Sequence, residues 1–365
     1  MESKGVPPVS GRFLRRTAAG ALALAGLWMA LDPAFPVPAA APAPEGAVSA
    51  RWQRMLLGES AVLGQWLADR DRPSAEEPAE GSPPPAPAQK EAEAPPRTEP
   101  AEQVRERSIT GGPGYLTGGG VSVFNRTEKT VDLEGAAQAG TSFRLAPADR
   151  GPQILIMHTH TTESYARSPD APYTETGEAH TMDTGYNITQ VGEAMTQVLT
   201  EMGFSVLHDT QVYDYPSYNG AYERSRAGVE AVLAQYPTVR MVLDVHRDAL
   251  VDGDGTVCKT VATADGAKVA QVMVLVGTDD GGAPFPDWTE HLALAMAVTR
   301  EMNALWPGLA RPITLRTARF NQQLTKGSLL VEVGSHGNTL EEAVAGGRLF
   351  ARALGRVLEG YVTAD

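Results

Sequence analysis

Apolar residues recur along the C-terminal two-thirds of this chain in two alternating rhythms. Short runs rich in Val, Ile and Leu at 154–157, 204–207, 241–245, 272–276 and 329–333 suit strands buried on both faces. Between them, four segments carry apolar side chains every three or four positions. The first holds Ile188, Val191, Met195, Val198 and Met202 and stops at Gly203. The second holds Tyr222, Val229, Leu233 and Tyr236 before Pro237. The third places Leu292, Met296, Met302 and Leu305 ahead of Pro307. The last, from Leu340 through Phe350 and Leu354, opens on Thr339 and Glu342 spaced as a capping box. A further strand-like piece, 121–124, follows the glycine-rich stretch GGPGYLTGGG. Strand alternating with helix predicts an α/β fold, a three-layer sandwich around a mostly parallel twisted sheet. Ligands in such sheets gather at the carboxyl ends of strands.

Ahead of this region the pattern changes. Arg12, Arg15 and Arg16 precede an apolar run at 17–31, which Asp32 and Pro33 close. Basic residues before an apolar run predict the N-terminus inside and the remainder outside. At ~1.5 Å per residue the run spans about 22 Å, short of a hydrocarbon core of roughly 30 Å. The alanines at 39–41 offer a small-residue cleavage site, so a signal anchor and a cleaved signal peptide both remain open. Trp52, Met55, Leu56, Val62, Leu63, Trp66 and Leu67 then fall at helical spacing, and 71–100 is mostly Pro, Ala and Glu, an extended spacer. The expected organisation is a tail and signal segment over 1–35, an extracytoplasmic stalk over 36–110 and a catalytic domain over 111–365. That places the protein at the cell membrane, single-pass, with the catalytic domain outside.

Composition narrows the chemistry. Hydrophobic residues make up 42% of the 365, enough for a substantial core. Lys and Arg number 31 against 44 Asp and Glu, a formal −13 with no basic block, which excludes nucleic acid as a partner. The single cysteine, Cys258, rules out an intramolecular disulfide framework and any thiolate-clustered metal site. A metal must sit on His and carboxylate.

Three strands end in such residues. The first runs into His158-Thr-His160-Thr-Thr-Glu163, the second into His246-Arg247-Asp248 with Asp244 inside it, and the third carries Glu332 ahead of Gly334 and His336. A carboxylate within Leu-Leu-Val-Glu-Val is costly unless paired or beside a metal. His160 and Glu163, three apart, with His246 from a neighbouring strand end, supply the three protein ligands of a catalytic Zn²⁺ site. His158 is the alternative ligand, because period 2 sends His158 and His160 to opposite sides. Glu332 is expected as the catalytic base and Arg247 as the group that polarises a carbonyl or grips a carboxylate. Asp244 or Asp248 would orient a histidine. His336 reads as a site-rim residue, and His180, His208 and His291 as structural or solvent-facing. No Gly-x-Ser-x-Gly elbow is present, and His246-Arg247-Asp248 lacks the glycine-rich loop and Asp-Phe-Gly of a kinase.

Four motifs, ILIMHTHTTESY from Ile154, GYNITQVGE from Gly185, LDVHRDAL from Leu243 and FNQQLTKGSLLVEVGSHGNTLEEA from Phe320, make the chain resemble the stage II sporulation protein P family. The resemblance implies membrane-anchored, extracytoplasmic cell-wall hydrolases related in fold to zinc N-acetylmuramoyl-L-alanine amidases. They cut the amide between glycan lactyl group and stem peptide, and peptide cross-links as well. It also implies peptidoglycan as substrate and stage II sporulation proteins D and M as partners in forespore engulfment. The family's first-motif histidine falls on His158 or His160, the second on His246 and its essential Glu on Glu332. Two other readings stay in play: a zinc peptidase confined to stem peptides, and a non-catalytic wall-binding recruiter.

Overall fold

The computed structural model describes residues 104–166 and 179–363. The expected signal segment, the short stalk helix and the 71–100 spacer lie outside the described residues. Among those described, no helix is long and apolar enough to cross a membrane.

The core is an eight-stranded mixed sheet in the order β2-β3-β10-β9-β11-β6-β4-β5. Its strands are β2 (Leu116–Gly118), β3 (Val121–Asn125), β4 (Ile154–Met157), β5 (Val206–His208), β6 (Met241–Asp248), β9 (Val272–Gly277), β10 (Ile313–Arg316) and β11 (Leu329–Ser335). β11, β6, β4 and β5 form one parallel block, and β3, β10 and β9 form another. The blocks meet where β11 and β9 pair antiparallel, and β2 caps the far edge antiparallel to β3. β1 (Arg105–Arg107), β7 (Cys258–Ala264) and β8 (Ala267–Ala270) make a separate three-stranded sheet.

Period 2 divides the buried side chains between two layers. Ile154, Ile156, Met241, Leu243 and Val245 face one side, where they join Val191, Met195, Val298, Phe350 and Leu354. That layer holds α2 (Thr189–Glu201), α4 (Trp288–Leu305) and α5 (Leu340–Glu359), which match the amphipathic segments of the sequence. Burying Phe350 or Leu354 contributes roughly 1.5–3 kcal/mol each. The expected capping box opens α5: Thr339 Oγ1 accepts from Glu342 N, and the Glu342 carboxylate accepts from Thr339 N, both at 3.2 Å. Leu155, Met157 and Val242 face the other side, against Val229 and Leu233 of α3 (Ala221–Gln235). The result is the three-layer α/β sandwich. A short helix, α1 (Leu133–Ala139), and strand β10 were not marked by the apolar pattern.

Candidate active site

Register alone gathers the polar residues. In the parallel β11–β6 pair, Glu332 stands opposite His246, and in the β4–β6 pair Met157 stands opposite Asp244. Asp244, His246 and Glu332 therefore share the α3 face of the sheet, alternating with Leu243 and Val245 on the other.

The loop after β4 brings in the remaining members. Thr159 donates through its backbone N–H and its hydroxyl to the two oxygens of Asp244, at 2.8 and 2.7 Å. Thr161 Oγ1 donates to Gln211 O, and Thr162 donates through N and Oγ1 to buried Asp214. Glu163 N closes a turn on His160 O at 3.0 Å, which sets the two side chains next to each other. Ligand atoms of His160, Glu163 and His246 then lie within 4.8 Å of one another, all three residues buried. Glu163 Oε1 is 3.5 Å from His160 Nδ1, and its Oε2 is 3.4 Å from His246 Nδ1. The opposite nitrogen of His246, Nε2, sits 2.9 Å from Asp244 Oδ1 in an ion-pair contact outside hydrogen-bonding geometry. Of the two aspartates expected to orient a histidine, the structure puts Asp244 there. Asp248 instead accepts from Arg311 at 2.8 Å.

The electrostatics favour a cation. Burial alone would strip His246 of its proton, yet Asp244 and Glu163 raise it well above the ordinary imidazole range. Burial likewise opposes charge on Glu163, but His246, Arg247 and His160 hold it well below the usual carboxylate range. Glu332 is half-buried, and its Oε2 is sealed from solvent without a hydrogen-bond partner. Burial and the carboxylate of Asp248 push it up to about 8, with His246 pulling the other way. Two imidazoles, a carboxylate and a sealed carboxylate oxygen fit a divalent ion with one position left for chemistry.

Other residues land elsewhere. His158, the alternative ligand, points into the α2 layer: Nδ1 is 2.8 Å from Val245 O and Nε2 is 3.0 Å from His208 Nε2. Gly192 permits this packing, since a Cβ there would come within 2.5 Å of both Nε2 atoms. Arg247 lies beside Glu163 and is tied to the loop that carries it. Its Nε donates to Ser164 O at 3.1 Å and Nη2 to Ala179 O at 2.8 Å, while Nη1 is 4.0 Å from Glu163 Oε1. Its backbone N–H also donates to Glu163 Oε2 at 3.0 Å. The guanidinium is committed to the loop that carries Glu163. His336, buried at 7% exposure, stands beyond β11, its N–H donating to Asp248 O. His291 donates to or accepts from no site residue and contacts Ser328 O.

Sequence reasoning missed the aromatic wall. Tyr218 stacks on His160, centroids 4.1 Å apart, with its hydroxyl 3.1 Å from Nδ1. Tyr222 borders both His160 and His246, ring centroids at 5.5 and 6.4 Å, and Phe320 packs on Tyr222 at 5.6 Å. The i, i+4 spacing of Tyr218 and Tyr222 at the start of a helical pattern was the available signal. Phe320 and Asn321 both take positive φ, 49° and 57°, and Asn321 Nδ2 donates to Tyr222 O at 2.7 Å. His180, expected as a bystander, reaches the rim, 3.3 Å from Arg247 Nη2 and 2.9 Å from Thr162 Oγ1.

Residues 76–355 match the stage II sporulation protein P (SpoIIP) family. The chain belongs to that family. A curated relative, stage II sporulation protein P of Bacillus subtilis (strain 168), is 28% identical over 200 residues, covering 52% of this chain and 47% of that protein. The match thus spans about half of the relative's length. Among solved structures, the chain is similar to the CwlD amidase from Clostridioides difficile, with a TM-score of 0.36 and 11% identity over 57% of this chain and 98% of that one. It is also similar to the N-acetylmuramoyl-L-alanine amidase AmiC2 of Nostoc punctiforme, with a TM-score of 0.33 and 13% identity over 58% and 97%.

Proposed function

We propose that this SpoIIP family member is a zinc-dependent peptidoglycan hydrolase that cleaves the N-acetylmuramoyl-L-alanine amide and cross-linking peptide bonds. The observation that carries the reading is convergence. His160, Glu163 and His246 come from two strand ends, and Glu332 is the register partner of His246. His160, Glu163 and His246 would hold the ion; bound there, zinc polarises the carbonyl and lowers the pKa of water to roughly 7. Glu332 accepts the proton of the attacking water and returns it to the leaving amide nitrogen. Its raised affinity for a proton, set by burial, suits holding that proton between the two transfers. Asp244 fixes the ring of His246, and Thr159 fixes Asp244. Arg247 acts as a positioning residue for Glu163 and its loop.

The reading carries with it an N-terminal membrane anchor or export signal, an extracytoplasmic catalytic domain, and stage II sporulation proteins D and M as partners in engulfment. Digestion of purified sacculi by the full chain, with mass spectrometry of the products, tests the activity. Free lactyl-bearing glycan is expected; peptide products alone would favour the stem-peptide peptidase, and no products the wall-binding recruiter. Glu332→Gln is expected to keep its zinc and to lose about 10²–10⁴-fold in kcat. Undiminished cleavage by that variant would remove Glu332 from the mechanism.

A further inference from the structure

The Tyr218 hydroxyl lies 3.1 Å from His160 Nδ1, and that nitrogen is the one turned toward Glu163 Oε1, 3.5 Å away. The two rings are stacked, so the hydroxyl lies over the face of the imidazole and not at the in-plane position through which a ring nitrogen would hold a metal. The Tyr218 O–H therefore borders the cluster without taking up a ligand position on it. Tyr218 is 55% exposed whereas His160 is 7% exposed, so a substrate reaches the phenol before it reaches the imidazole.

The segment bearing Tyr218 is fastened at several points. Arg224 donates through Nε to Tyr213 O at 2.5 Å, through Nη1 to Asn219 O at 3.2 Å and through Nη2 to Ser217 O. Asp214, four residues earlier, accepts from both Thr162 N and Thr162 Oγ1, beside Glu163. The phenol is thereby held relative to the same turn that supplies His160 and Glu163. Donors fixed in advance act most strongly on charge that develops only in the transition state. Arg247, expected at that post, has its nitrogens engaged elsewhere.

We infer that the Tyr218 hydroxyl is the hydrogen-bond donor to the scissile carbonyl oxygen, an inference that rests on the hydrolase reading above. As the water oxygen bonds to the carbonyl carbon, the C=O electron pair moves onto oxygen, and Tyr218 donates to it while keeping its own proton. The C–N bond then breaks, the pair returns to the carbonyl, and the amide nitrogen leaves with the proton carried by Glu332.

Tyr218→Phe in the full chain, assayed on purified muropeptides, tests this. Removing one such donor is expected to lower kcat by about 10²-fold, with KM within about twofold of wild type. Zinc affinity, read by chelator competition without any substrate, should hold, because Tyr218 is not among the residues that would ligate the ion. An unchanged kcat overturns the assignment. So does a loss of zinc affinity in proportion to kcat, which would make Tyr218 a prop for His160 only. Wild-type protein that neither binds zinc nor cleaves overturns the parent reading and this one together, and is distinguished by failing in the control.

Discussion

Two histidines leave the tip of β4 two residues apart and enter opposite environments. His160 turns to the α3 side, where it meets Glu163 at 3.5 Å, His246 in an edge-on ring contact at 5.1 Å and the exposed ring of Tyr218. His158 turns to the α2 side, fully buried, with only Val245 O and His208 to hold it. The first environment sets carboxylates against the imidazoles and stabilises positive charge; the second buries His158 against a carbonyl and another imidazole, with Glu193 reaching only His208, and rejects charge on His158. A histidine pair is therefore not in itself a metal site. Carboxylates within reach, and a side open to substrate, separate the front of this strand tip from its back.

The largest expected effect is at Asp244, which contacts His246 directly and reaches His158 only as a lesser electrostatic pull. Asp244→Asn is expected to weaken zinc binding by about 10–100-fold, the usual cost of losing a carboxylate behind a ligating histidine. Chelator competition measures it, and wild-type affinity in the variant would dissolve the distinction between the two sides.

Much of this arrangement was legible in the residues themselves. The run 154–157 coincides with β4, and the four amphipathic segments became α2 to α5. His160, Glu163 and His246 could be named together because period 2 and a three-residue spacing are local rules. Direction was not legible: a continuous apolar run such as Val272–Gly277 looks the same whether it pairs parallel or antiparallel, and β9 runs antiparallel to β11. Nor was the placement of Tyr218 fully legible, since it depends on Arg224 gripping loop carbonyls just ahead of α3. The guanidinium of Arg247 donates to loop carbonyls of Ser164 and Ala179 that no spacing rule locates.

The back of the strand tip yields a smaller effect, on stability. Burial, with His208 beside it, depresses His158 to about 3, against the bond to Val245 O. A depressed imidazole stabilises the fold fully above its unfolded pKa, about 6.5, and this stabilisation is lost as pH falls from there toward 3. Between pH 7 and pH 5 the loss amounts to roughly 2 kcal/mol for one such group. Urea unfolding at the two pH values should show it in wild type and show less of it in His158→Asn. An equal pH dependence in both proteins would mean that His158 does not carry the effect.

Metal analysis of the full chain, wild type beside His160→Ala and His158→Ala, tests the division between the two sides most directly. Zinc is expected in the wild type and in His158→Ala, and none in His160→Ala. Zinc retained by His160→Ala, or lost only with His158, would contradict that division.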